Sequence, residues 1–436
     1  MLGMSAHTIM MLVDRFSLAA YSENTLVASG PAVFTAMVVI TLFRGILHVG
    51  RATISEAYGS GDTDAAIAEA ARLTLLGALS GIGLLISFPI IIYLNQFSAR
   101  PEHIQALERV YLGWAMAFGF VMIFNNLGNC LFSGLLRTRL VFVVNLIGQI
   151  VGALATYGLV FGAFGLPELG MAGSAIGTLV GVLTIFLVYL FNLPKGFVGA
   201  VAASLAESRA DKIRQLRTRL RRGLPIGGEE SADEFGNTAI LWAKSILGSL
   251  GLAANNFNII LNYISIMPII GIAHGATVLS SNAIGSGDTG RILRIVVASL
   301  LVALVWVALV AAGLRLYGAE FIALFGIGEY GADVEALTLK VSKLLWLYAV
   351  AFTLSQIGGA VLQSMDVTGF IFRTRIVLMW CGSVPVAFFL AITAPDAITA
   401  LPRMWVALSL FEAAIGVVLF LRAYRETSKP TNKNRL

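Results

Sequence analysis

Apolar runs of about 20 residues recur from one end of this chain to the other, separated by short polar connections. Each is long enough to cross ~30 Å of hydrocarbon as a helix. Twelve such spans are read, at 1–21, 31–52, 72–94, 109–134, 140–162, 172–192, 225–247, 253–283, 293–316, 337–362, 374–394 and 403–422. The pattern also repeats. GILHVGRATISEAYGSGD at 45–62 returns about 226 residues later as GIAHGATVLSSNAIGSGD at 271–288. Gly45, Ile46 and His48 thus recur as Gly271, Ile272 and His274, and both copies close on Gly-Ser-Gly-Asp. Six spans per half is an even number, so both halves enter the membrane from the same side and the repeats are parallel. The expected fold is an all-α polytopic membrane protein, with twelve transmembrane helices in two parallel-repeat six-helix lobes around a central cleft. The expected organisation is an N-lobe at 1–192, a cytoplasmic basic linker at 193–224, a C-lobe at 225–422 and a cytoplasmic tail at 423–436.

Composition agrees with burial in a bilayer. The chain is 58% hydrophobic and 12% charged, against roughly 25% charged in soluble domains. Its 45 glycines suit close helix packing in lipid. Positive charge is uneven. Connections after even-numbered spans, with the tail, carry twenty Lys and Arg, including the cluster Lys195, Arg209, Lys212, Arg214, Arg217, Arg219, Arg221 and Arg222; connections after odd spans carry six. That bias places both termini in the cytoplasm. The net +6 is therefore topology, and no nucleic-acid partner follows from it. Span 1 lacks a small-residue cleavage site and reads as an anchor rather than a signal peptide. Cys130 and Cys381 fall inside spans 4 and 11 and are expected to be packed rather than bridged. Four histidines and two scattered cysteines give no metal-ligand spacing. No phosphate-cradling GxxxxGK[ST] motif occurs, so ATP is not the energy source on this chain, and transport, if that is the activity, is expected to be ion-coupled.

Ionisable residues inside membrane spans are costly and face a partner or a cavity. Asp14 stands on span 1 and shares a face about 40° wide with His7 and Tyr21. It either pairs with Arg15 or a neighbouring helix, or binds and releases a cation. On span 2, Thr41, Arg44, His48, Arg51 and Ser55 form one polar stripe. Arg44 and Arg51 are either structural ion-pair partners or a cationic wall toward an acidic or zwitterionic substrate. Span 7 opens with PIGGEESADEFGN. Glu229, Glu230, Asp233 and Asn237 lie on roughly one face, with Glu234 at its margin and Lys244 further along. Crowded carboxylates raise one another's pKa, and Asp233 lies ~12 Å beyond Pro225, too deep for a helix-end charge. His48 and His274 occupy equivalent places in the two halves, either as a titrating pair or as a packed relic of the repeat.

The chain resembles the multidrug and toxic compound extrusion (MATE) family over nearly its whole length. The resemblance rests on LVDRFSLAAYSENTLVASGPA in span 1, the GSGD end of span 2 and LFSGLLRTR after span 4. It continues with FGLPELGMAGSAIGT between spans 5 and 6, RRGLPIG opening span 7, and LGLAANNFNIILNYISIMPIIGIAHGATVL, with Asn255, in span 8. It implies export driven by sodium or protons through a cleft between two lobes. It matches Asp14 to the family's helix 1 acid and Asp233 to the helix 7 acid of the norfloxacin-exporting branch. That branch's helix 10 acid falls on Phe352, and the helix 5 acid of the DNA-damage-inducible branch falls on Thr156. Only 13 residues precede Asp14, so span 1 is expected to be short or to start upstream.

The expected activity is a proton- or sodium-coupled antiporter exporting a small, zwitterionic or carboxylate-bearing molecule by alternating access in the inner membrane, as a monomer. Asp14, Glu230 and Asp233 are the ion-coupling candidates. Arg44, His48, Glu229, Asn237, Asn255 and His274 are the candidates lining the substrate cleft. No cofactor beyond the coupling ion, no metal and no catalytic residue is assigned. A flippase for a lipid-linked precursor is the alternative, with headgroup contacts at Arg44 and Arg51. An intramembrane enzyme would need a nucleophile or metal converging on the span 7 acids; Ser231 and His274 stay open for that role. The charge bias predicts that green fluorescent protein fused after Leu436 fluoresces while alkaline phosphatase fused there is inactive. The reverse result places the carboxyl terminus outside.

Overall fold

A computed structural model of the chain describes residues 13–14, 17–18, 20–97, 101–323 and 331–427. The readings on His7, Arg15, Arg100, Lys429, Lys433 and Arg435, most of span 1 and the end of the tail lie outside the described residues. No strand appears among the described residues. Ten of their helices are long and apolar enough to cross a membrane. Spans 1 and 7 make up the expected twelve: the first lies mostly outside the described residues, and the second is too charged to qualify by composition.

Span 2 is two helices, α1 (Glu23–Ile46) and α2 (Val49–Gly59), broken at Leu47 and His48. Then come α3 (Thr63–Asn95), α4 (Glu102–Gly134), α5 (Thr138–Phe161) and α6 (Met171–Phe191). The basic stretch is also helical, as α7 (Phe197–Ala206) and the first half of α8 (Arg209–Ser245). Helix α8 runs through Pro225 without a break, because one missing N–H is tolerable where neighbouring helices pack closely. The second half contains α9 (Gly248–Gly285), α10 (Gly290–Leu316), α11 (Gly318–Ala323) and α12 (Ala332–Ser342). It ends with α13 (Leu345–Ser364), α14 (Thr368–Leu378), α15 (Val384–Thr393) and α16 (Ala397–Thr427). Asp396 caps α16 by accepting the Thr399 N–H at 2.7 Å, and hydrogen bonds from Thr399 hold its carboxyl below the usual range.

The chain divides into two compact units. One comprises residues up to Glu234 together with Ile284–Gly287; the other comprises Phe235–Ala283 and the chain from Asp288 onward. In the first unit the basic stretch is pinned to α3. The Arg219 Nε donates to Glu69 at 3.0 Å, and the Arg72 Nε donates to Glu207 at 3.1 Å. Both cysteines are free. Cys130 is buried, whereas Cys381 is exposed, contrary to the expectation that both are packed; it sits in the π-helical turn Met379–Ser383.

The sequence repeat is visible in the backbone. Gly61 and Gly287 have φ of 86° and 76°, which glycine adopts without a Cβ penalty. Each donates to the carbonyl three residues back, Tyr58 at 3.1 Å and Ile284 at 3.0 Å. The ends of α4 and α13 match as well. Leu136 and Asp366 both take left-handed φ, 57° and 61°. Their N–H groups reach Ser133 and Gln363, and the next N–H in each reaches Phe132 or Leu362. The LFSGLLRTR motif is thus a helix stop that the second half builds from different side chains.

Helices α5 and α6 meet backbone to backbone through glycines spaced by four. A Cβ on Gly177 would lie 2.5 Å from the Thr156 backbone nitrogen, and one on Gly181 would lie 2.8 Å from the Gly148 carbonyl oxygen. Small residues at this spacing drive helix association in lipid, where apolar side chains have no preference for each other over acyl chains. Gly177→Val is therefore expected to destabilise the protein by about 1–3 kcal/mol, read as a lower unfolding midpoint in detergent. Gly113→Ala, with nothing within 4 Å of the added carbon, is the control and should leave the midpoint unchanged or raise it.

Candidate functional site

The break in span 2 builds the site. Between α1 and α2 the backbone tightens into turns three residues long. The Leu47 and His48 N–H groups reach Arg44 and Gly45 at 3.1 and 3.0 Å, and the Gly50 and Arg51 N–H groups reach Leu47 and His48 at 2.9 and 3.1 Å. Side chains of α4 support the loosened carbonyls. The Asn126 Nδ2 donates to the Arg44 oxygen at 2.9 Å, and the Cys130 thiol to that of Leu47 at 3.4 Å. No proline is needed; α4 stabilises the kink.

Helix α8 crosses α1 beside this break at very short range. A Cβ on Gly227 would lie 2.2 Å from the Leu42 oxygen, and one on Gly223 would lie 2.2 Å from the Ile46 oxygen. The Ser231 hydroxyl donates to the Val38 carbonyl at 2.8 Å. This approach delivers Glu230 to the stripe on span 2. Its carboxylate accepts from His48 Nδ1 through a short hydrogen bond, and Arg44 Nη2 lies 3.6 Å away. The other histidine nitrogen, Nε2, lies 2.9 Å from Asn126 Oδ1 and 3.0 Å from Arg51 Nη2. His48 and Arg51 are each 5% exposed.

That geometry gives His48 a partner in either protonation state. With Nδ1–H donating to Glu230, a neutral ring presents its Nε2 lone pair to the Arg51 N–H. A protonated ring presents Nε2–H to Asn126 Oδ1, which faces it because the amide nitrogen is committed to the Arg44 carbonyl. Gaining or losing the proton therefore exchanges which neighbour of Nε2 is bonded, Asn126 Oδ1 or Arg51, and leaves the other facing a like group.

The structure therefore joins Arg44, His48 and Glu230, and adds Arg51 and Asn126. The basic stripe and the acidic helix are not separate walls here; they meet through Arg44 and His48 at Glu230, which is the ion-pair reading open for Arg44, while Arg51 meets His48. Asp14 has a partner on a neighbouring helix, accepting a short hydrogen bond from Ser174 on α6; the alternative pairing with Arg15 lies outside the described residues. Glu229 and Asp233 are half-buried on α8. The remaining candidates belong to the second unit, where Asn237 is exposed, His274 half-buried and Asn255 fully buried. The repeat-related histidines thus differ in burial.

The second unit holds a charged cluster that sequence reading missed. Arg375 on α14 lies 3.7 Å from the Glu412 carboxylate on α16, with side chains 6% and 12% exposed. Ser355 on α13 donates to Glu412 through a short hydrogen bond, and Arg375 Nη2 donates to Ser355 at 3.4 Å. Arg375, one of the twenty basic residues that follow even-numbered spans, is thus not a solvent-facing end charge but a buried ion-pair partner. Glu412, a lone acid within span 12, was the signal that could have revealed the pair.

The sequence model of the MatE family matches residues 1–157 and 225–389, well over half of the chain. The chain belongs to the MatE family. Among MATE relatives it is 26% identical over 415 residues to a probable multidrug resistance protein NorM of Bradyrhizobium diazoefficiens, covering 90% of this chain and 84% of that one. It is 24% identical over 355 residues to the corresponding Thermotoga maritima protein, covering 77% and 71%. Solved structures agree in fold. A MOP superfamily transporter from Pyrococcus furiosus, described as having a binding pocket of reversed polarity, superimposes with a TM-score of 0.86 at 18% identity, covering 98% of this chain and 93% of that one. An outward-facing multidrug resistance MATE transporter does so at 0.85 and 18%, with the same coverage. As a MATE protein the chain is a multi-pass membrane transporter of small molecules and not an enzyme.

Removing one member of a buried ion pair strands the other, at a cost of about 3–5 kcal/mol. Arg375→Met should lower stability on that scale in denaturant titrations. The double variant Arg375→Met/Glu412→Leu should recover much of the loss.

Proposed function

We propose that this MATE protein is a proton-coupled antiporter of the inner membrane that exports small organic molecules by alternating access. The observation carrying this reading is the network of half-buried Arg44 and Glu230 with buried His48, Arg51 and Asn126. Coupling requires a group whose loading changes the relative stability of two conformations. Glu230 is held by the short His48 bond and by Arg44, and its side chain is 28% exposed. Protonating it would weaken both attachments and so loosen α8 from the break in span 2. A proton fits this site better than sodium. Sodium sites gather oxygen atoms, such as carbonyls of unwound helices, whereas the groups aimed at Glu230 are N–H donors on cationic or ionisable side chains. Asp14, held by Ser174, and Asp233, one turn beyond Glu230, are secondary candidates for the same role. That the named relatives are multidrug resistance proteins supports efflux over lipid flipping.

The test is efflux from proteoliposomes under an imposed proton or sodium gradient, using a panel of fluorescent organic cations and carboxylates. A proton gradient should drive efflux, a sodium gradient should not, and Glu230→Gln should cut the proton-driven rate by at least about tenfold. Wild-type flux in Glu230→Gln, or flux driven by sodium alone, overturns the assignment. Loss in Asp14→Asn with Glu230→Gln unaffected moves the coupling to Asp14.

A further inference from the structure

We propose that the second unit contains a binding site for the carboxylate of an aromatic organic anion, built on Lys244 and Trp405. This rests on reading the chain as a transporter of small organic molecules and names a class of molecule for it.

Lys244 stands in the last turn of α8 and is 4% exposed. Its ammonium lies 4.1 Å from the centroid of the Trp405 ring on α16. Among the described residues no carboxylate and no hydrogen-bond acceptor meets it. A buried charge without a counter-ion is destabilising by several kcal/mol. A desolvated cation–π contact offsets about 2 kcal/mol of that, so the site stays short of negative charge. By contrast, the buried Arg375 of the same unit has its own carboxylate in Glu412. The deficit at Lys244 is therefore local.

The surroundings indicate the shape of what would supply it. The Trp405 ring N–H is buried and has no acceptor, so two donors sit side by side with nothing to donate to. A carboxylate, with two acceptor oxygens, complements both. Tyr348 packs edge-on against Trp405, with ring centroids 5.8 Å apart and planes at 89°, which provides an aromatic wall for a ring. Helix α9 adds polar groups. Ala254 and Leu261 pack in the same cluster as Trp405, and Asn258 lies between them on the same helical face. The Asn258 Oδ1 has no donor, and neither amide atom of the fully buried Asn255 has a partner. Buried polar groups in native proteins nearly always have partners, and an orphaned indole N–H beside an uncompensated ammonium is the pattern that a bound carboxylate resolves.

The experiment uses the full chain in lipid nanodiscs, with salicylate as probe and its neutral analogue salicylamide as control, followed by calorimetry and thermal unfolding. Salicylate should bind wild type saturably and raise its unfolding midpoint. Lys244→Met should weaken that binding by at least about tenfold while being no less stable than wild type without ligand, because an apolar side chain replaces an uncompensated charge. Trp405→Phe, which keeps a ring but removes the N–H, should weaken it less. Salicylamide should bind wild type no better than salicylate binds Lys244→Met. The proposal is overturned if salicylate fails to bind wild type, binds Lys244→Met equally well, or is matched by salicylamide. Binding is read without transport, so proton-driven efflux without salicylate binding removes this site alone, and intact binding without gradient-driven efflux removes the antiport reading alone.

Discussion

The close backbone approach of α1 and α8 at Gly45, Gly223 and Gly227 is the constraint on which the candidate site depends. Any side chain at these positions would hold the helices apart, and Glu230 would no longer reach His48. Lipid gives helices no hydrophobic reason to associate, so van der Waals contact and polar bonds must do so. Glycines supply the first by letting main chains touch. The second follows from the first, since a half-buried carboxylate brought this near to Arg44 and His48 has no cheaper state than pairing with them.

The same logic explains why span 2 is broken where it is. A continuous helix would satisfy its own carbonyls and leave Asn126 and Cys130 without their bonds to Arg44 and Leu47. Breaking it places His48 and Arg51 on adjoining turns that face one amide and one carboxylate. The second unit uses a quieter version. Arg375, Glu412 and Ser355 join three helices through a compact buried pair, with a serine taking the place of a second cation. Lys244 departs from both patterns, because its charge faces an aromatic ring instead of an acid.

Much of this protein is written along its sequence. Span length, helical class and the halving of the chain follow from apolar runs and the GSGD repeat, because bilayer thickness dictates helix length and only a self-bonded backbone can cross lipid. The polar stripe of span 2 and the acids of span 7 were legible for the same reason: charge in a span is expensive and therefore conspicuous. Which charges meet was not legible. Spacing places Arg44, His48 and Arg51 on one face, but it carries no information on whether Glu229, Glu230 or Asp233 lies opposite; the glycine crossing of α1 and α8 selects Glu230. Arg375 looked like an end charge until α13 and α16 enclosed it, and Lys244 looked like one more polar residue on the face of span 7 until Trp405 covered it. Partner choice depends on helix rotation and crossing depth, which are set by packing among elements far apart in the chain, and only the tertiary structure decides them.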